Sequence, residues 1–201
     1  MTHPLISPPE PFKAIIFDCD GTLADTMPTH VKAWVASYKS FGIDIAEQPF
    51  FDMGGMNNQR IIETLNRKFG YKIDFETMQE AKEGRYLEML HTIQEIKAVA
   101  DIARAFHGQV PIAVASSGMS QVVRQTLVQI GLSSLFEVIV TADDVEHAKP
   151  APDIFLLAAE RLGVAPADCI VYEDGDPGLE AAQRAKMRAV DVRVLWRDEA
   201  K

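Results

Sequence analysis

Cysteine is scarce in this chain, with only Cys19 and Cys169 present. They lie far apart in apolar runs that read as separate buried strands, so reduced core thiols are expected rather than a disulfide. Basic residues are also few: 20 lysines and arginines against 29 aspartates and glutamates give a net charge of −9. That balance argues against a nucleic-acid binder, whose footprint is a basic face. No apolar run approaches the roughly 18 residues that a membrane span needs. The start, Met1-Thr2-His3-Pro4, has neither a basic region nor an apolar one, so it does not read as a signal peptide. No internal repeat or low-complexity tract is visible. These absences point to a soluble cytoplasmic protein with no nucleic-acid or membrane partner. With no apolar repeat or spare helix to seek an obligate partner, a monomer is expected.

What is present fits a globular enzyme. The 201 residues, 47% hydrophobic and 24% charged, suit one core domain with a modest insertion. The first ten residues, rich in proline, read as a frayed leader. Phe12 to Phe17 is an apolar run ended by Asp and Gly, the mark of a buried strand. A helix follows, capped by Asp25 or Thr26, with Pro28 tolerated in its first turn. From Thr29 to Ala98 the patterns are helical: Ile61, Ile62, Leu65 and Phe69 recur at helical spacing, as do Tyr86, Leu87 and Leu90. Strand and helix then alternate: strand Val110–Ala115, a helix carrying Val123, Leu127 and Ile130, strand Phe136–Val140, helix Asp153–Leu162, strand Cys169–Tyr172, helix Leu179–Ala185 and strand Ala189–Val192. Such alternation implies an α/β fold with a Rossmann-like parallel sheet, right-handed crossovers and helices on both faces. The expected organisation is a core of residues 1–26 and 99–201 with a small helical cap, 27–98, inserted after the first strand. Asp143-Asp144 and Asp198-Glu199 read as solvated turns.

In open α/β sheets ligands bind at the carboxyl ends of the strands. Here those ends carry Asp18 and Asp20, Ser116 and Ser117, and Glu173 and Asp174, with Lys149-Pro150 in the connection after the third strand. On an extended segment Asp18 and Asp20 point to one side while Cys19 points away. So many carboxylates cannot all stay ionised without a compensating cation. All-oxygen ligation beside a phosphate suits magnesium best. Gly21 lets the backbone approach a phosphate and Thr22 adds a donor. Ser116 and the amides after it can hold non-bridging oxygens at a helix start, and Lys149 supplies positive charge. The roles that follow are Asp18 as nucleophile on phosphorus, through an aspartyl-phosphate, and Asp20 as acid toward the leaving alkoxide, then base toward water.

These residues form the motifs Asp18-Cys19-Asp20-Gly21-Thr22-Leu23, Ala115-Ser116-Ser117-Gly118, Lys149-Pro150-Ala151-Pro152-Asp153 and Glu173-Asp174 with Gly178. From about Phe12 to Val194 the sequence resembles the haloacid dehalogenase-like hydrolases, and within them the β-phosphoglucomutase-like branch of small sugar phosphatases. The resemblance implies a metal held by the Asp18 side chain, the Asp20 carbonyl, Asp174 and Glu173, the last directly or through water. Asp25-Thr26-Met27-Pro28-Thr29-His30, followed by Lys32-Ala33-Trp34, is similar to bacterial fructose-1-phosphate phosphatases. Lys82 matches a substrate-facing cap lysine of the branch. Mutases of the branch carry an arginine in the loop after a glycine; counting from Gly55 that place is Asn58, while Arg60 matches phosphatase-like members. Gly175 stands where the family usually has serine. The implied substrate contacts are Gly21, Thr22, His30, Gly55, Arg60, Lys82 and Ser117.

Taken singly, an Asp-x-Asp-Gly run is a turn, Ser116-Ser117 a helix cap and Lys149 a solvated lysine; their joint position is what makes them a site. His30 reads as a ligand contact or a structural histidine, Arg60 and Lys82 as contacts or solvated charges, and Trp34 as packing. The expected substrate is a small phosphorylated metabolite, with a phosphohexose mutase as the alternative reading. A protein that keeps only the fold is disfavoured by the intact acid set, and dehalogenation by its having no need of Asp20 or a metal.

Overall fold

The computed structural model describes residues 3–54 and 56–197. Its centre is β1 (Ala14–Phe17), four buried apolar residues. Four helices follow: α1 (Met27–Ser40), α2 (Gln48–Asp52), α3 (Asn58–Phe69) and α4 (Phe75–Glu88). Alternation then begins with α5 (Lys97–Phe106), β2 (Ile112–Ala115), α6 (Ser120–Gln129), β3 (Val138–Val140) and α7 (Asp153–Leu162). It ends with β4 (Cys169–Glu173), α8 (Asp176–Arg184), β5 (Arg188–Asp191) and α9 (Val194–Arg197).

The sheet runs in the order β3-β2-β1-β4-β5, every neighbouring pair parallel. This is the Rossmann-like α/β architecture expected. The chain builds outward from β1 in one direction, then returns to place β4 on its other side, so the direction of winding switches beside β1. A crevice opens at such a switch point. Residues alternate across the strand: Ile15 and Phe17 join the apolar cluster that includes Val114, Leu127 and Tyr172, while Ala14 and Ile16 join the one that includes Phe155, Ala158 and Ala181. The helices α1 to α4 share a third cluster built on Val31, Trp34, Tyr38, Phe50, Ile62, Leu65 and Met78. Phe69, expected on the buried face of α3, is instead exposed at its end.

Three local expectations are corrected. The leader from His3 is fixed, not frayed: Ile6 is fully buried, the Tyr172 hydroxyl donates to its carbonyl at 2.6 Å, and Arg188 donates to the carbonyls of Pro9, Glu10 and Pro11. Prolines remove donors but not acceptors, and here the donors come from the sheet. Thr26 stands at the start of α1, yet its hydroxyl makes no capping hydrogen bond. Asp143 and Asp144 are not merely solvated: Asp143 accepts from the Ser120 amide at the start of α6, and Asp144 closes a capping box with Thr141 and pairs with Arg161. Gly55 and Asp198-Glu199 lie outside the described residues. No helix among those described is long and apolar enough to cross a membrane.

Candidate active site

Register brings the acids together. Phe17 pairs with Tyr172, and the Asp18 amide donates to the Tyr172 carbonyl at 2.9 Å, so Asp18 leaves β1 beside Glu173 at the end of β4. Between the two sits Lys149, whose Nζ donates to Asp18 Oδ1 at 2.6 Å, Glu173 Oε2 at 2.8 Å and the Ala115 carbonyl at 3.2 Å. All three side chains are buried. Burial works against the Lys149 ammonium, but Asp18 and Glu173 outweigh it and raise its pKa. Burial and the Glu173 charge push Asp18 well above the usual carboxylate range, with Lys149 opposing them. Asp174 is driven up to about 7 by burial and then by Glu173.

Two glycines make the crowding possible. A Cβ on Gly178 would lie 2.0 Å from Glu173 Oε2, and one on Gly21, at φ +82°, would lie 2.2 Å from Asp174 Oδ2. No real Cβ fits at either place. Thr22, fully buried, donates its hydroxyl to Asp174 Oδ1 at 3.2 Å. Gly21 and Thr22 thus serve the acid loop, and neither lines the cavity described below. Glu173 is held further by the Asp174 and Gly175 amides, which donate to Oε1 at 3.2 and 2.9 Å.

Asp18, Glu173 and Asp174 each offer an oxygen within 4.8 Å of the others. Three crowded carboxylates, with one lysine bonded to two of them, fit a divalent cation. The Asp20 side chain lies outside that cluster. Its Oδ1 is 3.1 Å from His30 Nε2, and its Oδ2 accepts from Ser116 Oγ at 3.3 Å. Burial would raise Asp20, but the hydrogen bond and charge of His30, helped by Thr26 and Lys82, hold it down at about 2. His30 stacks on Tyr86 with centroids 4.3 Å apart, and Tyr86 bonds Thr126 of α6 through its hydroxyl at 2.9 Å. Burial and then Lys82 push the imidazole down from its usual range. Its Nδ1 is buried and has no hydrogen-bond partner among the described residues.

Above these groups lies a cavity of about 590 Å³. The expected site residues Asp18, Asp20, His30, Lys82, Ser116, Ser117, Lys149, Glu173 and Asp174 line it. Arg60 does not; it faces a separate surface cleft with Gln59, Glu63 and Arg67. Met119, Glu83 and Arg193 also line the cavity without having been singled out in the sequence. Arg193 is gripped by Asp191 and Asp176, at 2.8 and 2.7 Å, and no motif spacing announces it.

The doubly wound sheet thus carries its acid cluster at the switch point, where α/β enzymes bind their ligands. The chain belongs to the haloacid dehalogenase-like hydrolases, whose family matches residues 15–192. It is 38% identical to the fructose-1-phosphate phosphatase YqaB of Escherichia coli, over 92% of this chain and 99% of that one. Among solved structures it resembles a hydrolase from Pseudomonas syringae (TM-score 0.80, 28% identity, 88% of this chain and 83% of that one). It also resembles the β-phosphoglucomutase of Clostridium difficile (TM-score 0.74, 28% identity, 89% and 83%). Family, fold and acid set make it a phosphatase.

Proposed function

We propose that the chain is a magnesium-dependent phosphatase of small phosphorylated metabolites, acting on a sugar phosphate such as fructose 1-phosphate through an aspartyl-phosphate on Asp18. The observation that carries the reading is the Lys149–Asp18–Glu173 group facing Asp20, Ser116 and His30 across one cavity. Asp18 attacks phosphorus and expels the alkoxide, which takes a proton from Asp20; water then attacks the acyl phosphate, gives its proton to Asp20 and releases phosphate. Lys149 opposes the upward push of burial and Glu173 on Asp18 and so favours its ionised form. Asp20, ionised at rest, gains its proton as the anionic phosphate settles beside it, since a like charge raises a carboxyl. Bound at Asp18, Asp174 and the Asp20 carbonyl, with Glu173 direct or through water, magnesium would supply charge neutralisation for the transferring oxygens. Ser116, Ser117 and the amides after β2 hold those oxygens, and residues 27–98 act as the cap that closes over them. The enzyme works as a monomer in the cytoplasm, where Cys19 and Cys169, both free, stay reduced.

The likeness to a β-phosphoglucomutase keeps the mutase reading in view, but it would need a grip for a second phosphate. Asn58 stands in the expected arginine's place, and Arg60 lies off the cavity. A phosphate-release screen over hexose phosphates, phosphogluconate and small phosphoesters, with and without a sugar bisphosphate, separates the two. Magnesium-dependent release without activator is expected; isomerisation that requires the bisphosphate would replace phosphatase by mutase.

Two variants test the roles. Asp20→Asn should cost alkyl phosphates, whose leaving groups need the proton, about 10² to 10⁴-fold in kcat, and aryl phosphates far less. Equal losses on both would remove the acid role from Asp20. Lys82 is 4% exposed and, with no carboxylate in ion-pair range among the described residues, sits over the Trp34 and Tyr86 rings at 5.6 and 5.5 Å. Burial lowers its pKa to about 8, against the pull of Asp20 and Glu83. Its charge is therefore present below pH 8 and lost above it, so KM should climb as pH rises from 8 to 10. Lys82→Met should have the raised KM already at pH 7 and lose that climb; a variant that retains it would clear Lys82 of the effect.

A further inference from the structure

The acids and Lys149 line one cavity with Lys82 and Glu83, which are consecutive on α4. Successive helical residues point about 100° apart, so the cavity wraps around this turn of α4. Glu83 is half-buried and, among the described residues, makes no hydrogen bond and no ion pair. Its charged neighbours are Lys82 beside it and Asp143 from the turn after β3, which is itself engaged with the Ser120 amide. Burial and Asp143 push the Glu83 carboxyl up from its usual range, with Lys82 acting the other way.

A leaving group against α4 meets one ammonium and one carboxylate, neither of which has a hydrogen-bond or ion-pair partner among the described residues. Hydroxyls satisfy the two together, accepting from Lys82 and donating to Glu83. A purely apolar group would leave the buried ammonium and the half-buried carboxylate unanswered. A second phosphate or a carboxylate would satisfy Lys82 but would meet Glu83, with Asp143 behind it, at like charge. We infer that Glu83 is a specificity-determining residue, selecting uncharged, polyhydroxylated leaving groups and rejecting those with a second anionic group. The inference rests on the phosphatase reading above and goes beyond it by naming what the α4 wall of the cavity excludes.

The test is kcat/KM for three esters in the magnesium-loaded enzyme: fructose 1-phosphate, fructose 1,6-bisphosphate and 3-phosphoglycerate. The wild type should favour the first over both others by at least about tenfold, the scale of one like-charge contact in a pocket shielded from water. In Glu83→Gln, nearly isosteric and so expected to fold, that ratio should shrink about tenfold. Glu83→Lys should shrink it further. Because the ratio is read within each variant, a general loss of activity cancels. Ratios unchanged in both variants, with phosphate still released, would overturn the role of Glu83 while leaving the phosphatase reading standing. No release from any ester by the wild type would overturn that reading and this inference with it.

Discussion

Asp18→Asn should lower magnesium-dependent phosphate release by at least about 10⁴-fold, the order expected for loss of a nucleophile, with the fold unchanged. The amide has the carboxylate's shape but no charge to attack phosphorus. Folding should not suffer, because Asp18 is already strained electrostatically: burial and Glu173 both act against its charge. Lys149 would keep Glu173 at 2.8 Å as its counter-ion. The checks are phosphate release and the melting temperature, and near-normal hydrolysis by a well-folded variant would move the nucleophile elsewhere.

Lys149→Met should be nearly as damaging, and for a different reason. Methionine keeps an apolar stem for packing near Phe155, whose ring lies 4.9 Å from Nζ. It leaves Asp18 and Glu173 without the cation that now sits between them at 2.6 and 2.8 Å. Asp18, no longer opposed in its tendency to hold a proton, becomes a neutral acid and a poor nucleophile. A fall in kcat of about 10³-fold is expected, comparable to removing a preorganised charge at a reacting centre. Removing one partner of a buried ion pair costs about 3 kcal/mol or more, so the urea midpoint of the metal-free protein should fall as well. A variant with normal kcat and a lowered midpoint would make Lys149 a structural residue only.

The convergence of Asp18, Ser116 and Glu173 on one sheet edge was legible because each ends a short apolar run. Phe17 before Asp18, Ala115 before Ser116 and Tyr172 before Glu173 marked strand ends, and parallel strands put their ends on one edge. The run of helices between β1 and β2 was legible from its periodicity. Contacts between distant segments were not. That Tyr86 of α4 would stack on His30 of α1 and bond Thr126 of α6 depends on how three helices pack, which no spacing encodes. Gly21 and Thr22 looked like phosphate contacts because their partner, Asp174, follows another strand. Arg60 looked like a site residue because alignment gives position along a helix but not the side of the cavity it faces. The leader escaped for the same reason: its donors, Tyr172 and Arg188, come from the opposite end of the chain.

The central claim is that phosphorus passes through Asp18. It is tested most directly by acid-quenching the enzyme during turnover, reducing with borohydride and mapping the peptides by mass spectrometry. Reduction of an aspartyl-phosphate turns that aspartate into homoserine, so conversion is predicted at position 18, dependent on substrate and magnesium and absent from Asp18→Asn. Conversion at any other acid, or turnover with none at position 18, would contradict it.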